Sequence, residues 1–273
     1  MKSAPVLQLT DAALAFGRRP IWSELDLAVL PGEFVAVLGA NGSGKTSLMR
    51  AVLGLQPLTA GRVDVAGRPV RRGSSEVGYV PQQHRADPLT PMRARDFVAQ
   101  GLTGHRWGTG LPSASRRRTV AAALHEVGAA AYADAPIGQL SGGEQQRVRI
   151  AQALVTDPML LLCDEPLLSL DLPSQRTVTA LVDRRRREHG TAVLFVTHEI
   201  NPVLPYVDKV LYLAGGRFRI GTVDEVLTSA TLSALFEAPI EVVRIGGRIL
   251  VAGIPDSPEH AHHDHHIESG ARR

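Results

Sequence analysis

The sequence predicts an α/β fold built on a parallel sheet, and two observations lead to that class. Three short segments are almost wholly apolar, as expected of strands buried on both faces of a sheet: residues 34–38, 159–163 and 192–197. Helical segments separate them, one over residues 46–55 and another carrying the arginines at 184–187. Strands that alternate with helices in this order form a doubly wound parallel sheet.

Length and composition agree with a folded α/β protein. Of 273 residues, 44% are hydrophobic and 21% charged, which excludes a wholly disordered chain. The one cysteine, Cys163, excludes an internal disulfide and fits a reducing compartment. No apolar run approaches the roughly 20 residues that span a bilayer, and the start of the chain does not resemble a secretory signal. Any role at a membrane is therefore expected to go through a partner.

The remaining segments predict three regions along the chain. Residues 6–10 and 25–29 alternate apolar and polar side chains, which indicates strands near the start. Residues 116–128 have helical spacing and 102–115 look like a loop, so 83–135 are predicted to form a mainly helical insert. We therefore expect a main domain over 1–222 that contains this insert. A helix (223–236) and a short β stretch (242–251) would make an extension over 223–254, followed by a flexible, histidine-rich tail over 255–273.

A glycine-rich loop between the first apolar strand and its helix fits the pattern GxxxxGK[ST]. Glycines let backbone N–H groups approach phosphate oxygens, and the start of the helix adds partial positive charge. Lys45 would supply a cation to the β- and γ-phosphates and Thr46 a hydroxyl to Mg²⁺. The alternative is an accidental glycine turn, which the flanking strand and helix disfavour. The predicted nucleotide-binding residues of this phosphate loop are Gly39, Ala40, Asn41, Gly42, Ser43, Gly44, Lys45, Thr46 and Ser47.

Two further apolar strands end in polar residues that suit the same chemistry. Asp164 and Glu165 follow residues 159–163, at the edge where parallel sheets bind ligands. Asp164 would hold Mg²⁺, and Glu165 would orient or deprotonate the attacking water. His198 follows residues 192–197 and is expected at the same edge, in contact with the γ-phosphate. Solvated acids and a capping histidine at strand ends are the alternatives.

The segment Leu140-Ser141-Gly142-Gly143-Glu144-Gln145-Gln146-Arg147 resembles the signature of the ATP-binding subunits of ABC transporters. The resemblance covers roughly residues 6–220. It implies a P-loop NTPase of ABC type, with a RecA-like parallel core, an N-terminal antiparallel β part and a helical subdomain. It also implies a head-to-tail dimer, in which Ser141, Gly142 and Gly143 of one copy cap the γ-phosphate held by the other. A helix that opens at these residues offers a second anion-binding end.

Other residues take roles from this resemblance one at a time. Phe16 is similar to the aromatic residue that stacks on adenine, its alternative being a core aromatic. Gln82 is similar to the glutamine that meets Mg²⁺ and water, Asp171 to a residue of the loop at the dimer interface, and His198 to the switch histidine. Leu167 stands where threonine is common, and the phosphate loop ends in Thr46-Ser47 rather than Ser-Thr. Neither departure removes a needed group, so the resemblance implies an active ATPase that uses MgATP, with Lys45, Gln82, Glu165 and His198 as its catalytic residues.

Less specific features resemble the zinc and manganese importer group of that family. Residues 134–139, and residues 238–243 followed by Gly246-Gly247-Arg248, carry this likeness. A histidine cluster near the end of the chain points the same way, because imidazole and carboxylate bind Zn²⁺. The predicted ligands of this possible zinc site are His260, His262, His263, Asp264, His265 and His266. A soluble tail without a role, or a cloning tag, are the alternatives.

These features lead to one main functional hypothesis. The chain would hydrolyse ATP to power import of a divalent metal ion, zinc before manganese, through a separate permease bound by the helical subdomain. It would sit at the cytoplasmic face of the membrane, pair with a second copy and work indirectly with an extracytoplasmic substrate-binding protein. Import or export of another substrate, a metal buffer with a degenerate nucleotide site, and a non-transport ABC protein acting on nucleic acid or ribosomes are the alternatives. Nucleic acid is not expected as a partner, because the net charge is only +3 and no aromatics interleave the arginine runs.

Overall fold

A central sheet of six strands organises the fold, and a computed structural model describes residues 4–82, 90–103 and 113–253 of the chain. The strands are β1 (Leu7–Phe16), β2 (Arg19–Val29), β3 (Phe34–Gly39), β4 (Ala60–Val65), β5 (Arg68–Pro69), β6 (Val77–Val80), β7 (Leu160–Asp164), β8 (Ala192–Val196), β9 (Lys209–Ala214), β10 (Arg217–Gly221), β11 (Glu241–Ile245) and β12 (Arg248–Ala252). The α-helices are α1 (Lys45–Val52), α2 (Ala94–Thr103), α3 (Ala114–Glu126), α4 (Gly142–Leu154), α5 (Leu172–His189), α6 (Val223–Val226) and α7 (Ser229–Phe236). Short 3-10 turns lie at Ala130–Tyr132, Ile137–Gln139 and Leu204–Tyr206.

The central sheet has the strand order β10-β9-β3-β8-β7-β6. The five strands from β9 to β6 run parallel, and β10 pairs antiparallel with β9 at the edge. The three apolar segments predicted as strands are β3, β7 and β8, and they lie side by side in the middle of this sheet. Every residue of β7 and β8 is buried, which explains why these strands are continuously apolar rather than alternating. The predicted α/β class with a parallel sheet is confirmed.

The two faces of the central sheet pack into two separate cores, because successive side chains of a strand point to opposite faces. On one face, Phe34 stacks on Phe195 with 5.4 Å between ring centroids, beside residues from α3, α4 and α5. On the other face, Val35 and Val37 pack with Leu48 of α1 and with the N-terminal strands.

The N-terminal strands form a separate antiparallel sheet with the order β2-β1-β4-β5. Its inner side chains, among them Trp22 and Leu25, complete the core that α1 shares with the central sheet. Residues 6–10 and 25–29, predicted as strands, lie within or beside β1 and β2, which extend further than the pattern indicated. The resemblance had implied this antiparallel part.

Helices α2, α3 and α4 pack against one another at one side of the central sheet. Two of them, α2 and α3, lie in the segment predicted as a helical insert, although residues 83–89 and 104–112 of that segment lie outside the described residues. The loop predicted over 102–115 is shorter at both ends, since α2 continues to Thr103 and α3 begins at Ala114. Ser113 caps α3 by accepting a hydrogen bond from the Arg116 N–H at 3.1 Å.

The C-terminal extension contains two short helices, so the single helix predicted over 223–236 is wrong. Leu227 leaves the helical conformation, and Thr228 is extended, with its hydroxyl accepting a hydrogen bond from the Thr231 N–H at 3.1 Å. A threonine that caps a new helix in this way ends the preceding one. The β stretch predicted over 242–251 is a hairpin of β11 and β12, turned by Gly246 and Gly247, both with positive φ.

Within the described ranges, no helix combines the length and the apolar character that crossing a bilayer requires.

Candidate functional site

Strand register brings the predicted site residues to one edge of the central sheet. Val37 of β3 lies beside Val196 of β8, which lies beside Asp164 of β7. Strands β7 and β8 therefore end at the same level, β3 continues two residues further, and the residues that follow all three emerge at one edge of the sheet. The backbone N–H of Glu165 donates to the carbonyl of Val196 at 3.0 Å, which extends the pairing by one residue.

The phosphate loop follows β3, and two of its glycines lie so close to neighbouring atoms that a side chain there would clash. A Cβ on Gly39 would lie 2.3 Å from the Leu213 carbonyl oxygen and 2.6 Å from the Ser43 hydroxyl. Gly44 caps α1 with φ 99°, and a Cβ there would lie 2.5 Å from Ile21 and 2.8 Å from Trp22. The loop therefore turns tightly into α1, which places the start of that helix at the edge of the sheet.

Lys45 is the first residue of α1 and folds its side chain over the phosphate loop. Its ammonium group donates to the carbonyl oxygens of Gly39 and Ala40 at 2.6 and 2.9 Å, and the residue is buried. Burial lowers the pKa of Lys45, while the charges of Glu165 and Asp164 oppose that effect. The carboxylates thus help keep a partly desolvated cation charged beside the loop.

Asp164 is buried at the end of β7, whereas Glu165 turns out of the strand. Burial raises the pKa of Asp164, with the nearby Glu165 charge adding to that rise. The Tyr79 hydroxyl donates to Asp164 at 3.4 Å, and burial together with Asp164 raises the pKa of Tyr79 to about 12. Tyr79 is therefore a protonated donor over the physiological range. A buried carboxylate whose charge is disfavoured suits a cation as a neighbour.

Glu165 is the centre of a small polar group. Its backbone has φ 46°, an uncommon value for a non-glycine residue, so the side chain leaves the strand direction. The Gln82 amide donates to its carboxylate at 3.3 Å, and His198 Nδ1 lies 3.8 Å from the same oxygen. Gln82 comes two residues after β6, the neighbour of β7, and His198 two residues after β8. Three strand ends therefore deliver one carboxylate, one amide and one imidazole to one place.

An open cleft of about 630 Å³ joins these groups to the phosphate loop. Phe16, at the end of β1, lines this cleft. Its side chain is 53% exposed, so it is not a core aromatic. Ile21 and Leu168 also line the cleft and were not predicted from the sequence, because an ordinary apolar residue carries no signal of its own. The lining residues are Phe16, Ile21, Asn41, Gly42, Gly44, Lys45, Thr46, Ser47, Gln82, Glu165, Leu168 and His198.

The signature residues are not part of this cleft in a single chain. Ser141 caps α4 in a capping box, in which its hydroxyl accepts from the Glu144 N–H at 3.3 Å and Glu144 accepts from the Ser141 N–H at 2.8 Å. The Ser141 hydroxyl also donates to the Glu144 carboxylate at 2.8 Å, and this hydrogen bond, followed by the one from the Ser141 N–H, lowers the pKa of Glu144. A Cβ on Gly143 would lie 2.5 Å from the Ser174 hydroxyl, so α4 begins in contact with the first turn of α5.

Asp171 also lies away from the cleft lining. It caps α5 by accepting a hydrogen bond from the Ser174 N–H at 3.0 Å. Hydrogen bonding by the Ser174 side chain, and then by this N–H, lowers the pKa of Asp171. Asp171 and the signature serine and glycines are thus grouped around the first turn of α5, on a second surface. Its shallow hollow of about 160 Å³ is lined by Ser141, Gly143, Glu144, Arg147, Pro173, Ser174, Thr177 and Val178.

The predicted zinc ligands at positions 260 to 266 lie outside the described residues. Within the part of the chain that the structure describes, no group of three or more His, Cys, Asp or Glu side chains is arranged to hold a metal ion.

The cleft fits a nucleoside triphosphate with its magnesium ion. Gly39 and Gly44 keep the loop free of side chains, and the Ser43 hydroxyl is buried with no hydrogen-bond partner among the described residues. Lys45 and the start of α1 supply positive charge. Thr46 and Gln82 line the cleft, and Asp164 is buried at the end of β7 next to Glu165; together they offer the hydroxyl, amide and carboxylate oxygens that Mg²⁺ prefers.

Comparison with known proteins gives a family match and close relatives. A family model described as ABC transporter matches residues 22–168. A zinc transport system ATP-binding protein, TroB of Treponema pallidum (strain Nichols), is 33% identical over 262 residues, which are 96% of this chain and 95% of that protein. A zinc import ATP-binding protein, ZnuC of Cereibacter sphaeroides, is 39% identical over 201 residues, 74% of this chain and 76% of that protein.

A solved structure has the same architecture. It is described as an inward-facing conformation of an ABC transporter of metal-chelate type, and its chain superposes with a TM-score of 0.77 at 26% identity. The match covers 90% of this chain and 96% of the other. The likeness therefore covers more of the chain than the residues that the family model matches.

Proposed function

This chain belongs to the ABC transporter family as one of its ATPases, and we propose that it powers the import of zinc through a separate membrane permease. The observation that carries the ATPase part is the cleft, in which the phosphate loop faces Glu165, Gln82 and His198. The substrate is supported by the relatives, whose names specify zinc and not manganese. The extracytoplasmic protein that would bind zinc and pass it to the permease is inferred from the family alone.

We propose that Glu165 acts on the attacking water. Its carboxylate lies at the cleft surface, where it can orient a water molecule and accept a proton from it. Gln82 and His198 contact the same carboxylate and would place that water relative to the γ-phosphate. Lys45 and the N–H groups of the loop would hold the phosphates. Thr46, Gln82 and Asp164 would hold Mg²⁺, which would supply positive charge beside the phosphates when bound.

The second surface supports a two-chain arrangement for hydrolysis. In one chain, Ser141, Gly142, Gly143 and Asp171 do not line the cleft, although the start of α4 is a suitable anion-binding end. A second copy turned head to tail would bring this surface over the γ-phosphate. Each ATP would then lie between the phosphate loop of one copy and the signature of the other.

We propose that the permease docks at a groove between α2 and α3. The groove has a volume of about 620 Å³ and an apolar floor that includes Ala99, Val120 and Leu124. Three arginines and one aspartate stand at its rim: Arg95, Arg116, Arg117 and Asp96. This chemistry suits an amphipathic cytoplasmic helix with apolar residues on one side and acidic residues beside them. Docking there would hold the chain at the cytoplasmic face of the membrane.

A matched pair of substitutions tests the docking groove. Ala121 on α3 lines the groove, whereas its neighbour Ala122 is exposed and does not. Ala121→Glu should reduce co-purification with the permease, because its carboxylate would face the acidic helix. Ala122→Glu should leave co-purification unchanged. Equal retention of the permease by both variants would place the docking site elsewhere.

The experiment that tests zinc import is the metal content of cells under metal limitation. Elemental mass spectrometry would compare strains carrying the wild-type chain, Lys45→Ala, and Arg219→Ala at equal expression. Arg219→Ala removes a positive charge from the exposed surface of β10, away from the cleft, so it controls for charge alone. We expect zinc to fall in the Lys45→Ala strain only. A fall in manganese instead would move the substrate to manganese, and no change in either metal would remove the import assignment.

We further propose that the histidine cluster His260, His262, His263, Asp264, His265 and His266 binds Zn²⁺ and slows ATP hydrolysis when zinc is plentiful. Imidazole and carboxylate ligands in this number are typical of zinc-binding sequences. Removing residues 258–273 should abolish the inhibition of ATPase activity by added zinc. Removing only 267–273 is the matched control and should leave it. Inhibition that survives both truncations would contradict a regulatory role.

A further inference from the structure

The C-terminal hairpin makes a direct polar contact with the segment that carries His198. The Asn201 side-chain amide donates to the Ile249 carbonyl oxygen at 2.9 Å, and its oxygen accepts from the Ile249 N–H at 2.9 Å. Both backbone groups of one residue in β12 are therefore paired by one side chain, as a neighbouring strand would pair them. The two residues are 48 positions apart in the chain.

The hairpin end of this contact is firmly anchored. Ile249 is 4% exposed and belongs to the same apolar core as Ile200 and Val203. The Ser233 hydroxyl pairs with the N–H and the carbonyl of Ile240, at 2.9 and 3.1 Å, which fixes the start of the hairpin on α7. The position of β12 is thus set by its packing in this shared core and by the hydrogen bonds between α7 and the start of the hairpin.

The other end of the contact, Asn201, is separated from His198 by only two residues. Residues 198–200 form neither helix nor strand, so their path depends on what holds them at each side. On one side, the Thr197 hydroxyl donates to the Glu199 carbonyl at 2.9 Å and accepts from the Glu199 N–H at 3.1 Å. On the other side stand buried Ile200 and the pair that Asn201 makes with Ile249. His198 itself is 57% exposed, so little packing holds its ring.

We propose that Asn201 is a positioning residue for ATP hydrolysis, through which the hairpin holds the His198 segment beside Glu165. The C-terminal extension is then a working part of the hydrolytic site and not only a cap on the core. This inference rests on the proposed role of His198 in hydrolysis, and the experiment below separates the two.

The test is a double-mutant cycle on the full-length chain, with ATPase kinetics and thermal unfolding measured for each protein. Asn201→Ala should lower kcat about tenfold, equivalent to about 1.4 kcal/mol of activation free energy, with KM for ATP unchanged. In a His198→Ala background, Asn201→Ala should lower kcat no further, because the group that it positions is gone. Ser229→Ala is the matched control: it removes a hydrogen bond between α7 and the Val242 N–H of the hairpin but leaves Asn201 intact. It should leave kcat unchanged.

Three outcomes would overturn the proposal. Equal losses of kcat from Asn201→Ala with and without His198 would show that Asn201 acts independently of the histidine. Equal losses from Asn201→Ala and Ser229→Ala would show general destabilisation. Unchanged kcat in His198→Ala alone would refute the role of His198 in hydrolysis, and with it the positioning role of Asn201. The first two outcomes would refute only the role of Asn201 and leave the role of His198 standing.

Discussion

Gly44 offers the sharpest test of how the phosphate loop is built. In Gly44→Ala, the new Cβ would lie 2.5 Å from the Ile21 side chain and 2.8 Å from that of Trp22. The backbone there has φ +99°, which L-residues rarely adopt. Gly42→Ala is the matched control, because φ is +75° at Gly42 but nothing lies within 4 Å of the added Cβ. Backbone strain is common to both variants, and the clash is confined to Gly44.

Backbone strain acts in both variants, whereas the steric clash adds to the loss of stability only in Gly44→Ala. Positive φ costs an alanine about 1–2 kcal/mol. Forcing one extra carbon into a packed site adds about 1–3 kcal/mol. We therefore expect Gly42→Ala to lose about 1–2 kcal/mol of unfolding free energy, and Gly44→Ala about 1–3 kcal/mol more.

Urea unfolding followed by tryptophan fluorescence is the appropriate assay, since Trp22 is buried against the loop. The midpoints should shift without a change in m-value, which would mean that the native state keeps its compactness. Equal unfolding free energies for Gly42→Ala and Gly44→Ala would refute the close approach of the loop to Ile21 and Trp22.

Three further predictions follow from other parts of the site. Phe16→Ala should weaken ATP binding by about 1–3 kcal/mol, the range of base stacking on aromatics, without lowering Tm because the ring is exposed; calorimetric titration checks this. Gly143→Ala should lower Tm, and adding Ser174→Gly should restore much of the loss, because both contacts of the new Cβ are with the Ser174 side chain. Glu144→Gln should lower Tm at neutral pH: the depressed pKa of Glu144 gives stability that is present above the ordinary carboxyl range and is lost as pH falls through the lowered value. The Tm difference from wild type should therefore shrink in acid, and a constant difference across pH would contradict the capping box with Ser141.

Three central strands, β3, β7 and β8, could be predicted from the sequence because burial on both faces makes them almost wholly apolar. The same reasoning did not identify β4, β5, β6 or β10, which are short or lie toward sheet edges. It also did not identify β9, although five of its six residues are buried and it lies inside the central sheet. β4 and β10 each expose three of their residues, so their patterns are neither continuous nor alternating. The break between α6 and α7 was missed for another reason. A threonine at 228 is compatible with a helix interior, and only the backbone shows that it starts a new helix.

That Lys45, Glu165 and His198 meet at one cleft was predictable, because they follow buried strands or a glycine-rich loop, whereas Gln82 was identified only through the family resemblance. Glu165 and His198 come directly after buried segments, and parallel strands share one carboxyl edge. Ile21 and Leu168 were not predicted. Ile21 reaches the cleft from β2 of the N-terminal sheet, and Leu168 reaches it from the turn after β7. The hydrogen-bonded pair of Asn201 and Ile249 was also not predicted from the sequence. It joins positions 48 residues apart, and neither residue type signals that contact.

Steady-state ATP hydrolysis by Glu165→Gln tests the central claim most directly. The substitution keeps the size of the side chain and one acceptor oxygen but removes the negative charge and the base. The account predicts that the variant binds ATP as well as the wild-type chain does and that kcat falls by about 10²–10⁴-fold, the usual contribution of a general base. Hydrolysis at the wild-type rate, with ATP still bound in the cleft, would contradict the assignment of Glu165 and the mechanism built on it.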